Sequence, residues 1–430
     1  MSDVMALLVQ HSRRVTWLIV IVALVVRLGY AASVGLDRPI AIGSDEAEYD
    51  AYGWSVAQGH GYRGMSPDVA DQDHLTAYRS PGPSLVYAAL YVVAGHRPIV
   101  ARLLNCIAGA LACLLIVAIG RNTVGEVSGL GAAAIWAFWP QSIYLSGTLA
   151  SESLALLALL WLVLAALKFA QQPSLRGAII AGAILGANLL LHPSRLFLFP
   201  VLALWAIVQF RTSWRALGLA ILVPVIAILF LVPWVIRNEK VFGRFIPFST
   251  MGGSVLLQGN NRITATDPEY LGYNVWDTDI PEYRDALRAP NDEFARDSVA
   301  KSLATAWLKA NRGQWIPMAI AKIRRGWTPV LQSHTPRMQR LAMLLSWGPV
   351  LVAFVIGFIP WLLLFLRKRH PGWLLHMVIL HMVALNVIFF GLARYRYVVE
   401  PFCVLLAVGT VVWALTRRRG NPLEGPAPAV

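Results

Sequence analysis

Residues 15–34 read VTWLIVIVALVVRLGYAASV, and residues 44–49 read SDEAEY. A helix needs about 20 apolar residues to cross a bilayer, and the first stretch has that length. The second stretch places Asp45, Glu46 and Glu48 where such a helix emerges into water. Charge near hydrocarbon is costly unless it is paired, hydrated or functional. The two stretches together predict a membrane helix followed by a polar site at one face of the membrane.

Composition extends that reading to the whole chain. Of 430 residues, 57% are hydrophobic and only 14% charged, with a mean hydropathy of +0.58. A soluble domain is nearer half apolar and a quarter charged, so this is an integral membrane protein. The net charge of +14 fits the positive-inside rule, because the cations lie in short loops between apolar spans. A nucleic-acid partner is not indicated. Cys106, Cys113 and Cys403 all fall in apolar stretches and show no CxxC metal spacing. Arg13 and Arg14 before an apolar run, with Ala31-Ala32-Ser33 after it, imitate a signal peptide. The run resumes past Arg27 to Val34, which favours an uncleaved anchor.

The expected spans are 15–34, 98–120, 125–144, 151–169, 175–191, 195–210, 215–236, 341–366, 373–392 and 398–415. The fold class is therefore an all-α polytopic membrane protein of about ten transmembrane helices. Residues 82–94 are apolar but short, and read as re-entrant or interfacial. With the N-terminus inside, every inner connection carries a cation: Arg13/Arg14, Arg121, Lys168/Arg176, Arg211/Arg215, Arg367/Lys368/Arg369 and Arg417/Arg418/Arg419. Both termini are then cytoplasmic. The hydrophilic stretches 35–81 and 237–340 fall outside and form a small α-rich extracytoplasmic region. Asn291-Asp292-Glu293 looks like a helix start, and Phe294, Leu303 and Trp307 follow at helical spacing for a helix packed on the bundle. Residues 1–416 make one transmembrane domain; 417–430 make a Pro/Gly-rich cytoplasmic tail expected to be disordered.

On this topology the informative polar residues converge outside: Asp45, Glu46, Glu48, Arg79, Glu152, His192, Arg195, Arg237, Arg394, Arg396 and Glu400. A carboxylate at that depth suits a general base toward a hydroxyl, and arginines suit a phosphate held bidentately. Each residue also has a plainer reading. Asp45 with Glu48 fits a capping box, and Glu152 a helix N-terminus. His192 fits a satisfied loop residue, and Arg195 and Arg237 fit snorkelling anchors. Arg394 and Arg396 lie in a tight outer turn where topology disfavours positive charge, which points to function. Arg27 sits inside the first span and needs a partner, for which an acidic residue of the first loop is the candidate. Trp136, Trp139 and Trp234 suggest an interfacial belt.

The first loop, with Asp45-Glu46 and Tyr49, resembles the GT-C superfamily of membrane glycosyltransferases. It is most similar to the protein O-mannosyltransferase and aminoarabinose-transferase branch. The stretch Pro233-Trp234-Val235-Ile236-Arg237-Asn238, then Phe242-Gly243, Pro247, Ser249-Thr250, Gly252-Gly253 and Gly259-Asn260-Asn261, is similar too. Glu152 after Tyr144, Arg79-Ser80-Pro81-Gly82 and Arg394-Tyr395-Arg396 match by position. The resemblance spans residue 15 to about residue 410. It implies an inverting transfer of a sugar from a polyprenyl-phosphate carrier to a lipid, glycan or protein acceptor, at the extracytoplasmic face of the plasma (inner) membrane. Asp45 and Glu46 would be the catalytic carboxylates, with Asp45 the base. Glu46, Glu48, Tyr49 and Glu152 would orient the acceptor, and Asp45, Glu46 and Glu152 are the candidates for a divalent metal. Arg79, Arg195, Arg237, Arg394 and Arg396 would bind the carrier phosphate. No compact His/Asp/Glu ligand set is visible, and there is no P-loop or GxGxxG. The rival readings are a transporter or lipid flippase and a non-catalytic envelope assembly factor. A transporter would show broken helices and charges near the midplane in repeated halves. Here the charges crowd one end.

Overall fold

The computed structural model describes residues 2–64, 74–290, 292–330 and 335–416. The expected tail 417–430, its three arginines and Asn291 lie outside the described residues. The described chain is helical, with one isolated bridge between Arg63 and Leu75.

Six helices are long and apolar enough to cross a membrane: Ser12–Ser33, Pro98–Arg121, Glu152–Gln171, Trp214–Phe242, Arg337–Arg367 and Pro371–Ile388. Gly82–Ala94, Leu175–Leu191, Pro193–Gln209 and Glu400–Thr416 are shorter apolar helices. Gly82–Ala94 has 13 residues, a length of about 20 Å, against a hydrocarbon core of about 30 Å. A short helix, Ser2–Gln10, precedes the first span.

The expected span 125–144 is not continuous. It divides into Glu126–Ala137 and Pro140–Ser146. Pro140 has no N–H and cannot continue the ladder. The break is bridged by the buried guanidinium of Arg27, which donates to Trp136 O (3.2 Å), Ala137 O (3.1 Å) and Ser142 Oγ (2.8 Å). The expected acidic partner of Arg27 is therefore replaced by backbone. In hydrocarbon, an irregular backbone persists only where the protein satisfies its polar groups.

The expected tryptophan belt is also corrected. Trp136, Trp139 and Trp234 are buried. Trp136 and Trp139 stack with centroids 5.5 Å apart, and Trp234 donates to Phe248 O at 2.7 Å. They pack between helices, where large flat rings bury the most surface.

The stretch between the Trp214–Phe242 and Arg337–Arg367 helices forms a helical layer over one end of the bundle. Glu293–Ala310 begins as expected, with the Asp292 carboxylate accepting from Ala295 N at 2.6 Å. It packs chiefly on Gly252–Gly259: Ala300 and Ala304 are buried there beside Leu257. Only Phe294 of the expected apolar stripe reaches the Trp234 cluster. Asp297 caps the Gly252–Gly259 helix by accepting from Gly253 N (2.6 Å) and Ser254 N (3.1 Å). Burial still pushes its carboxyl up to about 6. The Trp315–Trp327 helix is anchored by buried Lys322, which donates to Asn260 Oδ1 (2.7 Å) and Val387 O (3.1 Å). The layer and the first loop join directly: Thr76 Oγ1 and Ala77 N both donate to Glu293. Both hydrophilic stretches thus lie at the same end of the bundle.

Candidate active site

The helix Asp45–Ala57 is capped by Ser44, whose Oγ accepts from Ala47 N at 3.3 Å. Asp45 is therefore the first helical residue, not the cap. That corrects the capping-box reading and leaves the Asp45 carboxylate free for other partners.

Those partners are two guanidiniums from distant parts of the chain. Asp45 Oδ1 accepts from Arg79 Nη2 at 2.7 Å, and Asp45 Oδ2 pairs with Arg394 Nη2 at 2.8 Å. Arg79 Nε also donates to Glu48, and Arg394 Nε to Glu152. The result is a continuous chain, Glu48–Arg79–Asp45–Arg394–Glu152. Local sequence explains how it forms. Asp45 and Glu48 are three residues apart on one helix face, so a single arginine reaches both. Pro81 and Gly82 start a helix immediately after Arg79. Gly82 is required there: a Cβ would lie 2.6 Å from the Leu190 backbone. This close approach sets the Arg79 turn against the end of Leu175–Leu191, just before His192.

Asp45 is held below the usual carboxylate range. Burial works to raise it, but the charges and hydrogen bonds of Arg79 and Arg394 together outweigh burial. Glu48 goes the other way, because its burial exceeds the lowering by Arg79. Tyr49 is raised by burial and lies with its ring 5.9 Å from the Arg79 guanidinium carbon. His192 is driven down to about 3 by burial and then by Arg195, Arg394 and Arg79. It is a neutral neighbour of the cluster, hydrogen bonded to Ser194 Oγ at 2.8 Å.

The other expected residues divide. Glu46 turns to the loop before Glu152: its Oε2 accepts from Leu149 N at 3.0 Å and its Oε1 lies 3.5 Å from Arg38 Nη2. Arg237 does not join the cluster. It donates to Thr76 O (2.7 Å) and Tyr62 O (3.2 Å) and lies against the Trp234 ring, so it pins the first loop to the bundle. Arg396 is fully buried, donating to Glu400 (2.7 Å) and Gly326 O (2.6 Å) over the Trp347 ring. Arg195 is 1% exposed, and its Nε and Nη1 have no hydrogen-bond partner; Glu152 Oε2 is likewise unpartnered. A buried polar atom without a partner keeps the capacity to bind one, and Glu152 Oε2 belongs to the ion chain itself. Arg38 was not among the expected residues; its signal was a cation seven residues before Asp45 in the same loop.

A metal fits this arrangement poorly. Asp45 and Glu152 share a guanidinium already, Glu46 is turned to Leu149, and no group of three or more metal-ligating side chains is present among the described residues.

Residues 78–236 match the family of dolichyl-phosphate-mannose-protein mannosyltransferases. That window contains Arg79, Glu152 and Arg195. No curated protein matches the chain. The archaeal oligosaccharyltransferase AglB of Archaeoglobus fulgidus, solved with an inhibitory peptide and a dolichol-phosphate, superposes with a TM-score of 0.57 at 12% identity. The match covers 96% of this chain and 53% of that one. The apo form of the Archaeoglobus fulgidus oligosaccharyltransferase gives 0.58 at 13% identity, over 94% and 51%. This chain spans about half the length of those structures. ArnT of Cupriavidus metallidurans bound to undecaprenyl phosphate gives 0.44 at 17% identity, over 94% and 81%, a score too low to argue from. The fold is similar to that of the Archaeoglobus fulgidus oligosaccharyltransferase.

Proposed function

We propose that this chain transfers a sugar from a polyprenyl-phosphate carrier to a lipid, glycan or protein acceptor, with inversion, at the extracytoplasmic face of the plasma (inner) membrane. Both termini are then cytoplasmic, as the loop cations suggest. One observation carries the reading: Asp45 is suspended between two guanidiniums that come from opposite ends of the sequence.

The chemistry follows from that suspension. The acceptor hydroxyl attacks the anomeric carbon while its proton passes to Asp45. The bond from the anomeric carbon to the phosphate oxygen breaks on the opposite side, and the electron pair leaves on the phosphate. Arg394, Arg79 and the unpartnered Arg195 are the groups to receive that charge bidentately.

In the ligand-free cluster Asp45 is ionised but weakly basic, because both arginines hold it low. A phosphate competes for the same guanidiniums. As they turn to it, burial is left as the main influence and the basicity of Asp45 rises. The carrier thereby converts a structural ion pair into a base when a sugar is present to transfer. Glu152 tethers Arg394, Glu48 tethers Arg79, and Glu46 fixes the loop before Glu152. Tyr49 forms part of the acceptor wall. Arg237 and Arg396 act as braces, and no step needs a metal.

The test is transfer of a sugar from a polyprenyl-phosphate donor by purified protein. Asp45→Asn removes the proton acceptor at nearly constant shape, and transfer falls about 10²–10⁴-fold while the fold remains. Transfer at the wild-type rate by that variant would overturn the base assignment.

A further inference from the structure

The helix Trp315–Trp327 has two faces that the ion cluster does not account for. Ile316, Ile320, Ile323 and Trp327 recur at helical spacing and form one apolar stripe. Ile316 is 74% and Ile320 54% exposed. Met318, Lys322 and Gly326 form a second, buried row. From the side opposite the stripe, Arg325 donates to the carbonyls of Leu271 (3.0 Å), Pro268 (3.0 Å) and Glu269 (2.9 Å) and fastens the helical layer there.

Two spans fix the height of this helix. Arg367, Lys368 and Arg369 join Arg337–Arg367 to Pro371–Ile388, and such a cation cluster marks one boundary of the hydrocarbon. Trp347 stands about 30 Å from Arg367 along the first span, and Val387 about 24 Å from Pro371 along the second. The hydrocarbon core is about 30 Å thick. Trp327 O accepts from Trp347 Nε1 at 2.9 Å, and Lys322 Nζ donates to Val387 O at 3.1 Å. Both contacts place Trp315–Trp327 at the opposite boundary. There its stripe continues the lipid-facing surface of Arg337–Arg367, on which Leu344 and Leu345 are exposed. Arg312 precedes the stripe and Arg324 flanks it, and both are exposed. Apolar residues on one face with cations beside them suit a helix that lies on an anionic lipid surface.

The buried row leads to the ion cluster. A Cβ on Gly391 would lie 2.0 Å from Lys322 O, so the turn after Pro371–Ile388 is pressed onto this helix. Arg396 Nη1 donates to Gly326 O at 2.6 Å. Arg394, the partner of Asp45, lies between those two contacts in sequence.

We propose that Trp315–Trp327 docks on an anionic phospholipid surface through its isoleucine stripe and through Arg312 and Arg324, and that this docking steadies the turn that presents Arg394. The lipid engaged is bulk phospholipid, not the carrier. The docking stands on the geometry of this helix and does not depend on the function proposed above.

The test uses the full chain in nanodiscs of phosphatidylcholine, with and without phosphatidylglycerol, and no sugar donor. Cys106, Cys113 and Cys403 are buried, so a nitroxide goes to an introduced thiol. On Ile320→Cys the label is expected to be more accessible to oxygen than to an aqueous nickel chelate. On Ser302→Cys, an exposed position of Glu293–Ala310, the order is reversed. Ile316→Cys repeats the measurement should the first label disturb the fold. Hydrogen exchange in residues 389–396 is expected to slow about fivefold for each of the two cations when phosphatidylglycerol is added. Arg312→Gln with Arg324→Gln removes that response and leaves exchange in phosphatidylcholine unchanged. Nickel access at Ile320→Cys and Ile316→Cys equal to that at Ser302→Cys overturns the docking and leaves the stripe to a protein partner. Exchange that ignores phosphatidylglycerol in wild type, or responds to it equally in the double variant, overturns the link to the Arg394 turn. Neither readout involves transfer, so the docking and the glycosyltransferase reading can fail separately.

Discussion

Arg394 and Arg396 stand two residues apart in one short turn, yet they inhabit opposite surroundings. The Arg394 side chain is 36% exposed and bridges Asp45 and Glu152. The Arg396 and Glu400 side chains are both 0% exposed, and Glu400 also accepts from Trp139 Nε1 at 2.7 Å. The first is an open pair, reachable by a ligand that competes for its guanidinium. The second is a closed pair that holds the turn against the bundle. An arginine count alone treats the two as equivalent. What separates them is whether the counter-charge can be exchanged.

Substitutions should therefore affect chemistry at the open pair and stability at the closed one. The largest effect is expected for Asp45→Asn, where loss of a general base lowers the transfer rate about 10²–10⁴-fold with the melting temperature near wild type. Next is Arg396→Gln. Breaking a buried pair by removing one partner costs about 3–5 kcal/mol, so thermal unfolding should move sharply down. The double change Arg396→Met with Glu400→Leu should recover much of that loss, because it leaves neither charge unpaired. Arg394→Gln should be milder. It removes charge-assisted hydrogen bonds to a phosphate, raising KM for the carrier about tenfold while KM for the acceptor moves little. The comparison breaks if Arg396→Gln alters only KM, or if Arg394→Gln mainly destabilises.

Lys322 sharpens the comparison from a third side. It is buried like Arg396, but its partners are Asn260 Oδ1 and a carbonyl, with no carboxylate. Burial lowers its amine to about 7. Between about pH 7 and the free-lysine value near 10.4, the unfolded chain binds the extra proton. Stability therefore rises with pH across that window and is weaker below it. Melting temperature should climb by a few degrees from pH 7 to alkaline pH, and Lys322→Met should flatten the climb.

Much of this is legible in the sequence. Apolar run lengths reveal the polytopic helical fold, and the five residues of the ion chain, Asp45, Glu48, Arg79, Glu152 and Arg394, are all among the polar residues that the sequence places outside. What the sequence hides is pairing. The open and closed arginines differ only in what tertiary packing brings to them. Arg27 bridges the helix break at Pro140, more than a hundred residues away. Trp136 and Trp139 resemble a belt by composition, and only packing reveals that they face inward. Ser44 outcompetes Asp45 as the cap by one position, a difference that capping preferences do not resolve.

The central claim is that the carrier phosphate takes the guanidiniums from Asp45 and so makes it a base. The pH dependence of kcat/KM reports the free enzyme, and that of kcat reports the complex. With a polyprenyl-phosphate sugar as donor, the acid limb of kcat/KM should lie below the ordinary aspartate value of about 3.9. The acid limb of kcat should fall at distinctly higher pH. Coincident limbs, or a limb that survives unchanged in the residual activity of Asp45→Asn, would contradict the account.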